Sequence, residues 1–196
     1  MKEIVVGVPD GKRAEWVNGM LTLVDDVEAK KDDRPVTDRV RIFEDALNEL
    51  GEEHVAVKDY WSMFHTGIEF SNDIIAYFKL RVIAAALNEG WEPSFDNEEY
   101  RWYPWFTMWT EEELAYKSDE WKKDHNLWLF GGHSSSGSYC GLACAYSNCD
   151  WSHSYANSSA RLAVKSEGLA IYFGNQFIQI WADYVGPFYL KNGKVC

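Results

Sequence analysis

The stretch Ser71–Gly90 constrains the fold more than any other part of the chain. Ser71 can cap a helix and Gly90 can end one. Between them Ile74, Ile75, Tyr77, Phe78, Leu80, Val82, Ile83, Ala85, Ala86 and Leu87 leave little polar face. A helix that is apolar nearly all round must be enclosed, so the remainder of the chain has to supply a shell around residues 72–88.

Candidates for that shell follow from periodicity and caps. Thr37 can cap a helix over Asp38–Leu50, with Val40, Phe43, Ala46, Leu47 and Leu50 on one face and Gly51 placed to stop it. Ser166 can cap a closing helix, Glu167–Val185, whose apolar face carries Leu169, Tyr172, Phe173, Phe177, Ile180, Trp181 and Tyr184. Thr110 and Glu113 make a capping box for a short helix to about Trp121. Strand signals lie at Lys2–Val8, ended by Pro9-Asp10-Gly11, at Asn126–Phe130, ended by Gly131-Gly132, and at Arg161–Val164. Trp16–Val24 suits helix or strand equally, and Glu28–Pro35 is charged and turn-like. The aromatic run Tyr100–Trp109 contains Pro104, which cannot donate to a ladder, so it reads as an edge strand or an ordered aromatic loop.

These elements predict an α+β fold in which a helical N-terminal part and a long C-terminal helix surround a small antiparallel sheet. At 196 residues one domain is expected. Its parts are a strand and loop region at 1–36, a mainly helical scaffold at 37–122, a β-rich region at 123–164, and a closing helix and tail at 165–196. A chain this long buries roughly two thirds of its unfolded surface and needs no metal or disulfide to fold.

A formal charge of −12 works against non-specific nucleic-acid binding, which needs Lys and Arg to displace counterions, and against anionic membrane surfaces. No h-region follows the first residues and no 18-residue apolar span occurs. Synthesis in the cytoplasm without a signal peptide is expected, with virion association as one destination. Cys140, Cys144, Cys149 and Cys196 are then expected as reduced thiols. No internal repeat of solenoid length is present.

Residues 131–159 do not read as core. The segment GGHSSSGSYCGLACAYSNCDWSHSYANSS has no Lys, Arg, Glu, Gln, Pro, Val, Ile, Phe, Met or Thr. Strands of this length are ordinarily rich in Val, Ile and Thr, and linkers do not carry Tyr, Cys and Trp at this density. Ala143, Ala145 and Ser147 share one parity, and Cys144, Tyr146 and Asn148 share the other. After Cys149-Asp150-Trp151 the parity flips: Ser152, Ser154 and Ala156 are small, while His153, Tyr155 and Asn157 are larger and polar. Side chains alternate faces along a strand, so two extended segments joined by a turn near 148–151 are expected, small residues inward and the others outward. The outward set is paratope-like. Tyr and Trp, Trp151 included, offer amphipathic area at little entropy cost, and Ser, Gly and Asn offer adaptable hydrogen bonds. A small-residue sheet packed tightly on an aromatic core is the competing reading.

Two resemblances bear on this segment. Phe43-Glu44-Asp45-Ala46, Ala86-Leu87-Asn88-Glu89-Gly90-Trp91, Tyr103-Pro104-Trp105-Phe106, Arg161-Leu162-Ala163-Val164-Lys165-Ser166 and Leu169-Ala170-Ile171-Tyr172-Phe173-Gly174-Asn175-Gln176-Phe177 resemble a group of largely uncharacterised Bacteroidetes and gut-phage proteins. The likeness runs from about residue 38 onward. Residues 131–159 also resemble the variable region of proteins targeted by diversity-generating retroelements. Those elements replace template adenines at random, so that AAY codons yield Asn, Ser, Tyr, Cys, His, Asp, Gly, Ala and a few others. His133, Ser135, Ser138, Tyr139, Cys144, Tyr146, Asn148, Cys149, Asp150, His153, Tyr155 and Asn157 belong to that set. The resemblance implies a non-enzymatic, phage- or mobile-element-associated protein whose varied residues bind a protein or glycan ligand, a host-surface receptor among them. It implies no cofactor, and commonly a C-type-lectin-like frame. This chain departs from the family pattern in carrying a long helix after the variable segment.

Other chemistry is weaker. Cys140, Cys144 and Cys149 with His133 and His153 hold zinc-ligand types, but all in one run and not in two separated pairs. Cys149, Asp150 and His153 supply the types of a thiol-imidazole site, which needs the thiolate beside the ring. Ser134–Ser138 lacks both a nucleophile elbow and the lysine of a phosphate loop. His54 and His65 stand near element ends, and Glu111-Glu112-Glu113 reads as the negative first turn of a helix. The aromatics at 100–109 could stack sugar rings or pack beneath the central helix. A structural or accessory virion protein without a variable surface, and a Cys/His metal-binding or hydrolytic protein, are the alternatives to a ligand-binding protein.

Overall fold

The computed structural model describes residues 7–9, 12–17, 19–25, 32–92, 99–130, 140–151 and 162–186. The expected strand at Lys2–Val8 lies almost wholly outside them. The chain divides into two compact units, Met1–Arg34 and Pro35–Cys196, where the sequence reading carried a single domain with an N-terminal region to residue 36.

The first unit is a hairpin. Strands β1 (Lys12–Val17) and β2 (Met20–Asp25) pair antiparallel from Lys12 opposite Asp25 to Val17 opposite Met20. Gly19 in the connection has φ +80°, a conformation that glycine adopts without strain. The ambiguous Trp16–Val24 therefore resolves as strand, turn and strand.

The second unit is α+β. Its centre is α4 (Asn72–Asn88), where the sequence placed it, with Leu80, Val82, Ile83, Ala84, Ala86 and Leu87 buried. Each fully buried Leu, Ile or Val contributes about 1.5–3 kcal/mol relative to exposure, so this helix is a large part of the hydrophobic term. Around it lie α1 (Val36–Arg39), α2 (Phe43–Leu50), α3 (Val55–Phe64), α7 (Glu167–Gln176) and α8 (Ile178–Val185). The sequence reading leaves α3 unassigned, although Ala56, Val57, Tyr60 and Met63 bury one helical face. His54 caps its start, Nδ1 accepting from the Ala56 N–H at 3.2 Å, and His65 ends it.

Two expected helices are each broken in two, and the freed backbone groups account for the breaks. The helix expected from Asp38 to Leu50 is interrupted at Val40–Ile42, and Thr37 lies inside α1 instead of capping. The Asp45 carboxylate accepts from the Arg41 and Ile42 N–H groups at 2.9 and 3.0 Å. The Tyr172 hydroxyl lies 2.8 and 2.7 Å from the Thr37 and Val40 carbonyls and donates to one at a time; Gln176 Nε2 donates to the Arg41 carbonyl. In the closing helix the break falls at Phe177. There the buried Trp181 indole N–H donates to the Phe173 carbonyl, which would otherwise accept from the residue 177 amide.

Among the described residues the sheet has three antiparallel strands in the order β3 (Tyr100–Trp109), β5 (Cys140–Trp151), β4 (Trp128–Phe130). Among these strands Tyr100–Trp109 lies at an edge. Pro104 lies in the middle of that edge and withholds a donor from any further strand. Of the expected strand at Arg161–Val164, Arg161 lies outside the described residues; Val164 forms a bridge in which it and Trp102 exchange N–H to carbonyl bonds at 3.1 and 2.8 Å. The capping box of Thr110 and Glu113 is present, but the helix it starts stops at Ala115 (α5, Glu111–Ala115). Ser118 caps a separate α6, Asp119–Asp124. Among the described residues no helix is long and apolar enough to cross a membrane.

Candidate functional site

The region singled out by the sequence is centred on β5. Its register with β3 shifts between Trp105 and Phe106: Tyr146 lies opposite Trp105 and Cys144 opposite Phe106, which leaves Ala145 as an extra residue. Such a bulge reverses the inward and outward parity of everything beyond it. Cys144 and Ser147, three residues apart, consequently share the inner side. Cys144 is half-buried against α7, and Ser147 is buried with its hydroxyl donating to Glu167 Oε1 at 3.4 Å.

Besides Ala143, expected inward but in register with the Trp105 side, and Cys149, expected in the ligand-binding set but opposite the core-packed Trp102, two sequence expectations are corrected here. Cys144, expected outward with Tyr146 and Asn148, packs against Gly174 of α7. A Cβ at Gly174 would meet the Cys144 sulfur, and would stand 2.9 Å from Pro104 Cβ and 3.2 Å from Cys144 Cβ. The second correction concerns the turn expected near 148–151. The strand runs on through Cys149, Asp150 and Trp151 without a turn, and the parity change occurs at Ala145 instead.

Directly opposite residues of an antiparallel pair share a face, so β3 reports the register of the remaining positions. Trp102, Phe106 and Met108 pack on the core, and Cys149, Cys144 and Leu142 lie opposite them. The other parity of β3 is Arg101, Tyr103, Trp105, Thr107 and Trp109, opposite Asp150, Asn148, Tyr146, Ala143 and Gly141. Trp105 is 39% exposed, while Arg101 is buried. At the Gly141 end, Trp109 meets Trp121 edge-on with centroids 5.2 Å apart. The Lys117 ammonium lies over both rings, and His125 stacks on Trp121 at 4.0 Å.

Of the other expected site residues, Trp151 ends β5 opposite Tyr100. His133, Ser135, Ser138, Tyr139, His153, Tyr155 and Asn157 lie outside the described residues, as do the small positions Ser152, Ser154 and Ala156. The stations before and after them are fixed. On the entry side β4 pairs with Cys140–Leu142, and Asn126 donates to the Asn175 carbonyl at 2.9 Å. On the exit side the buried Asn88 side chain donates to the Ala163 carbonyl at 2.9 Å and accepts from the Lys165 N–H at 3.0 Å. Glu89 binds Lys165 Nζ at 2.7 Å and also pairs with Arg39, which in turn pairs with Glu49. The Lys165 hydrogen bond holds the Glu89 carboxyl below the usual carboxylate range, with Arg39 adding to the effect.

The chemistry open to the described part of this region is limited. Burial pushes the Cys144 thiol up to about 11, so at neutral pH it stays protonated and is neither a nucleophile nor a ready metal ligand. Among the described residues no three His, Cys, Asp or Glu side chains are grouped to hold a metal ion. Elsewhere, an open depression of about 560 Å³ is lined by Glu52, Lys58, Trp61, Ser62 and His65. Three of its polar side chains are already engaged: Lys58 with Glu53, Ser62 with the Lys58 carbonyl and His65 Nδ1 with the Trp61 carbonyl.

Fold and site together define an α+β protein with a bulged strand paired between β3 and β4 and packed on α7. The chain matches no protein-family model, no curated protein and no solved structure. The positions that sequence reasoning missed are Tyr103 and Trp105, assigned to packing or sugar stacking without a face, and Gly174. A glycine inside an otherwise apolar helix was the available signal of close approach.

Proposed function

We propose that the protein is a non-enzymatic ligand-binding protein whose recognition face is built on β5 and the residues flanking it, from His133 to Asn157. The observation that carries this reading is the division of labour along β5. Cys144 and Ser147 are committed to α7, whereas Tyr146, Asn148 and Asp150 take the register of the other β3 face, which runs from the exposed Trp105 opposite Tyr146 to the buried Arg101 opposite Asp150. Tyr146, Asn148 and Asp150 are of the residue types that adenine-directed diversification yields, and the segment is stationed by contacts made outside it. Variation there would leave the anchors untouched. The C-type-lectin-like frame common among such proteins is not required, because the anchors are local. The ligand class is a protein or glycan surface, a host receptor among them.

The direct test is the surrounding locus. A reverse transcriptase beside a near-identical template repeat, differing from codons 131–159 mainly at adenines, is the expected finding; a locus lacking both removes diversification. Tyr146, His153 and Tyr155 changed together to Ala should lose ligand binding with little change in melting temperature. A loss of several kcal/mol would instead place them in the core and favour a structural protein.

A further inference from the structure

Helix α3 carries an aromatic ring on the side that its packing does not use. Ala56, Val57, Tyr60 and Met63 bury one face of the helix. Lys58, Trp61, Ser62 and His65 follow one another along the opposite, solvent side. Amphipathic packing calls for polar residues there, yet Trp61 is 46% exposed. With Glu52 from the turn before the helix, these four residues line the open depression of about 560 Å³. That volume falls within the roughly 300–1,000 Å³ of small-molecule sites.

The ring is held in place from below. Trp61 meets the buried Tyr60 edge-on with centroids 5.0 Å apart, and Tyr60 in turn meets Phe43 of α2 edge-on at 4.9 Å. A platform fixed by the core loses little entropy when a ligand stacks on it.

The hydrogen bonds already made around the ring leave a defined set of valences. The Trp61 carbonyl can only accept, so His65 Nδ1, 2.8 Å away, carries the proton, and in the neutral ring Nε2 is left as an acceptor. The Ser62 hydroxyl donates to the Lys58 carbonyl at 2.7 Å, which leaves its oxygen to accept. Lys58 Nζ donates to Glu53 at 2.6 Å and keeps further N–H bonds to give. The exposed Glu52 carboxylate is an acceptor as well. The rim is therefore rich in acceptors, with one cationic donor, around a flat apolar ring. A pyranose has the matching chemistry: hydroxyl donors on its edge and C–H groups on its face. A purely apolar ligand would strip water from these groups and return no hydrogen bond, and an anion would meet Glu52.

We infer that this depression is a second binding site, for one pyranose unit of a glycan stacked on Trp61, and that it works independently of the β5 face. A single platform in an open site binds weakly, with a Kd on the order of 10⁻³ M.

The test is NMR titration of the full chain with the methyl glycosides of glucose, galactose, mannose and N-acetylglucosamine, up to about 50 mM. The Trp61 indole N–H signal, assigned as the one missing in Trp61→Tyr, should shift and saturate with at least one of them. Trp61→Ala should weaken binding at least about tenfold and Glu52→Ala about threefold, both read from saturation transfer to the sugar. Trp61→Tyr, which keeps an aromatic platform, should lose less than Trp61→Ala, and Tyr146→Ala should bind as wild type does. No saturable shift with any of the glycosides, an equal shift with cyclohexanol at the same concentration, or binding kept in Trp61→Ala and lost in Tyr146→Ala would overturn the proposal.

Discussion

The two sides of α7 are packed by opposite means. Toward the helical core, Phe173 is fully buried and meets Phe177 and Trp181 edge-on, with centroids 6.1 and 5.0 Å apart. Toward the sheet, Gly174 admits Cys144 and Pro104 so closely that no side chain fits. Large interlocking side chains hold the core. The sheet sends Trp102, Phe106 and Met108 of β3 into that core, whereas β5 is held by its backbone ladder, by small groups in close approach and by clamps outside the strand. A strand secured in this way has few demands on its other face, and that freedom is what a recognition surface requires.

The comparison can be broken first at its strongest point. Phe173→Ala should cost about 3–5 kcal/mol in urea unfolding, as a large cavity opens where the shell meets α4. A small loss would mean that the aromatic cluster is not the main support. Gly174→Ala comes next, at about 1–3 kcal/mol, because overpacking outweighs the roughly 1 kcal/mol that alanine gains in a helix. Combining it with Cys144→Ala should cost less than the sum of the two changes, since the sulfur clash is relieved while Pro104 remains. Simple additivity would contradict the close approach. Asn88→Ala should cost a similar 1–3 kcal/mol, as it strands the Ala163 carbonyl and the Lys165 N–H. Faster amide exchange at Lys165 would accompany it.

A smaller effect follows from the Cys144 thiol. Its proton is held more tightly folded than unfolded, so its contribution to stability is complete below the unfolded pKa of about 8.5. That contribution declines as pH rises from there through about 11. Tyr60, Tyr172 and Tyr184, also raised by burial, act in the same direction at still higher pH. Unfolding midpoints should therefore fall more steeply on going from about pH 8 to about pH 10.5 in the wild-type protein than in Cys144→Ala. Equal slopes would show the thiol to be solvated.

Legibility in the sequence followed how local the cause was. The span of α4, the capping box at Thr110 and the Ser166 cap are set by residues within a turn of one another, and they stand where periodicity and caps placed them. The breaks at Val40–Ile42 and Phe177 depend on Tyr172, Gln176 and Trp181 accommodating the freed carbonyls, two of them from more than a hundred residues away. For β5, alternation was readable, but its phase was not. One unpaired residue at Ala145 exchanges the two faces, and only the partner strand reveals it. Simple alternation therefore puts Cys144 on the outer side and Ser147 on the inner one, whereas the bulge brings both inward.

On the proposed function, β5 separates anchoring positions from recognition positions. The most direct measurement is the urea unfolding free energy of two variants. One carries Tyr146→Ser, Asn148→Tyr and Asp150→Asn together, all within the diversification alphabet; the other carries only Cys144→Asn, from the same alphabet. The triple variant should stay within about 1 kcal/mol of wild type, and the single one should lose about 2 kcal/mol or more as a polar amide enters the contact with Gly174 and Pro104. Equal losses, or a triple variant that unfolds while Cys144→Asn is tolerated, would contradict the division of the strand.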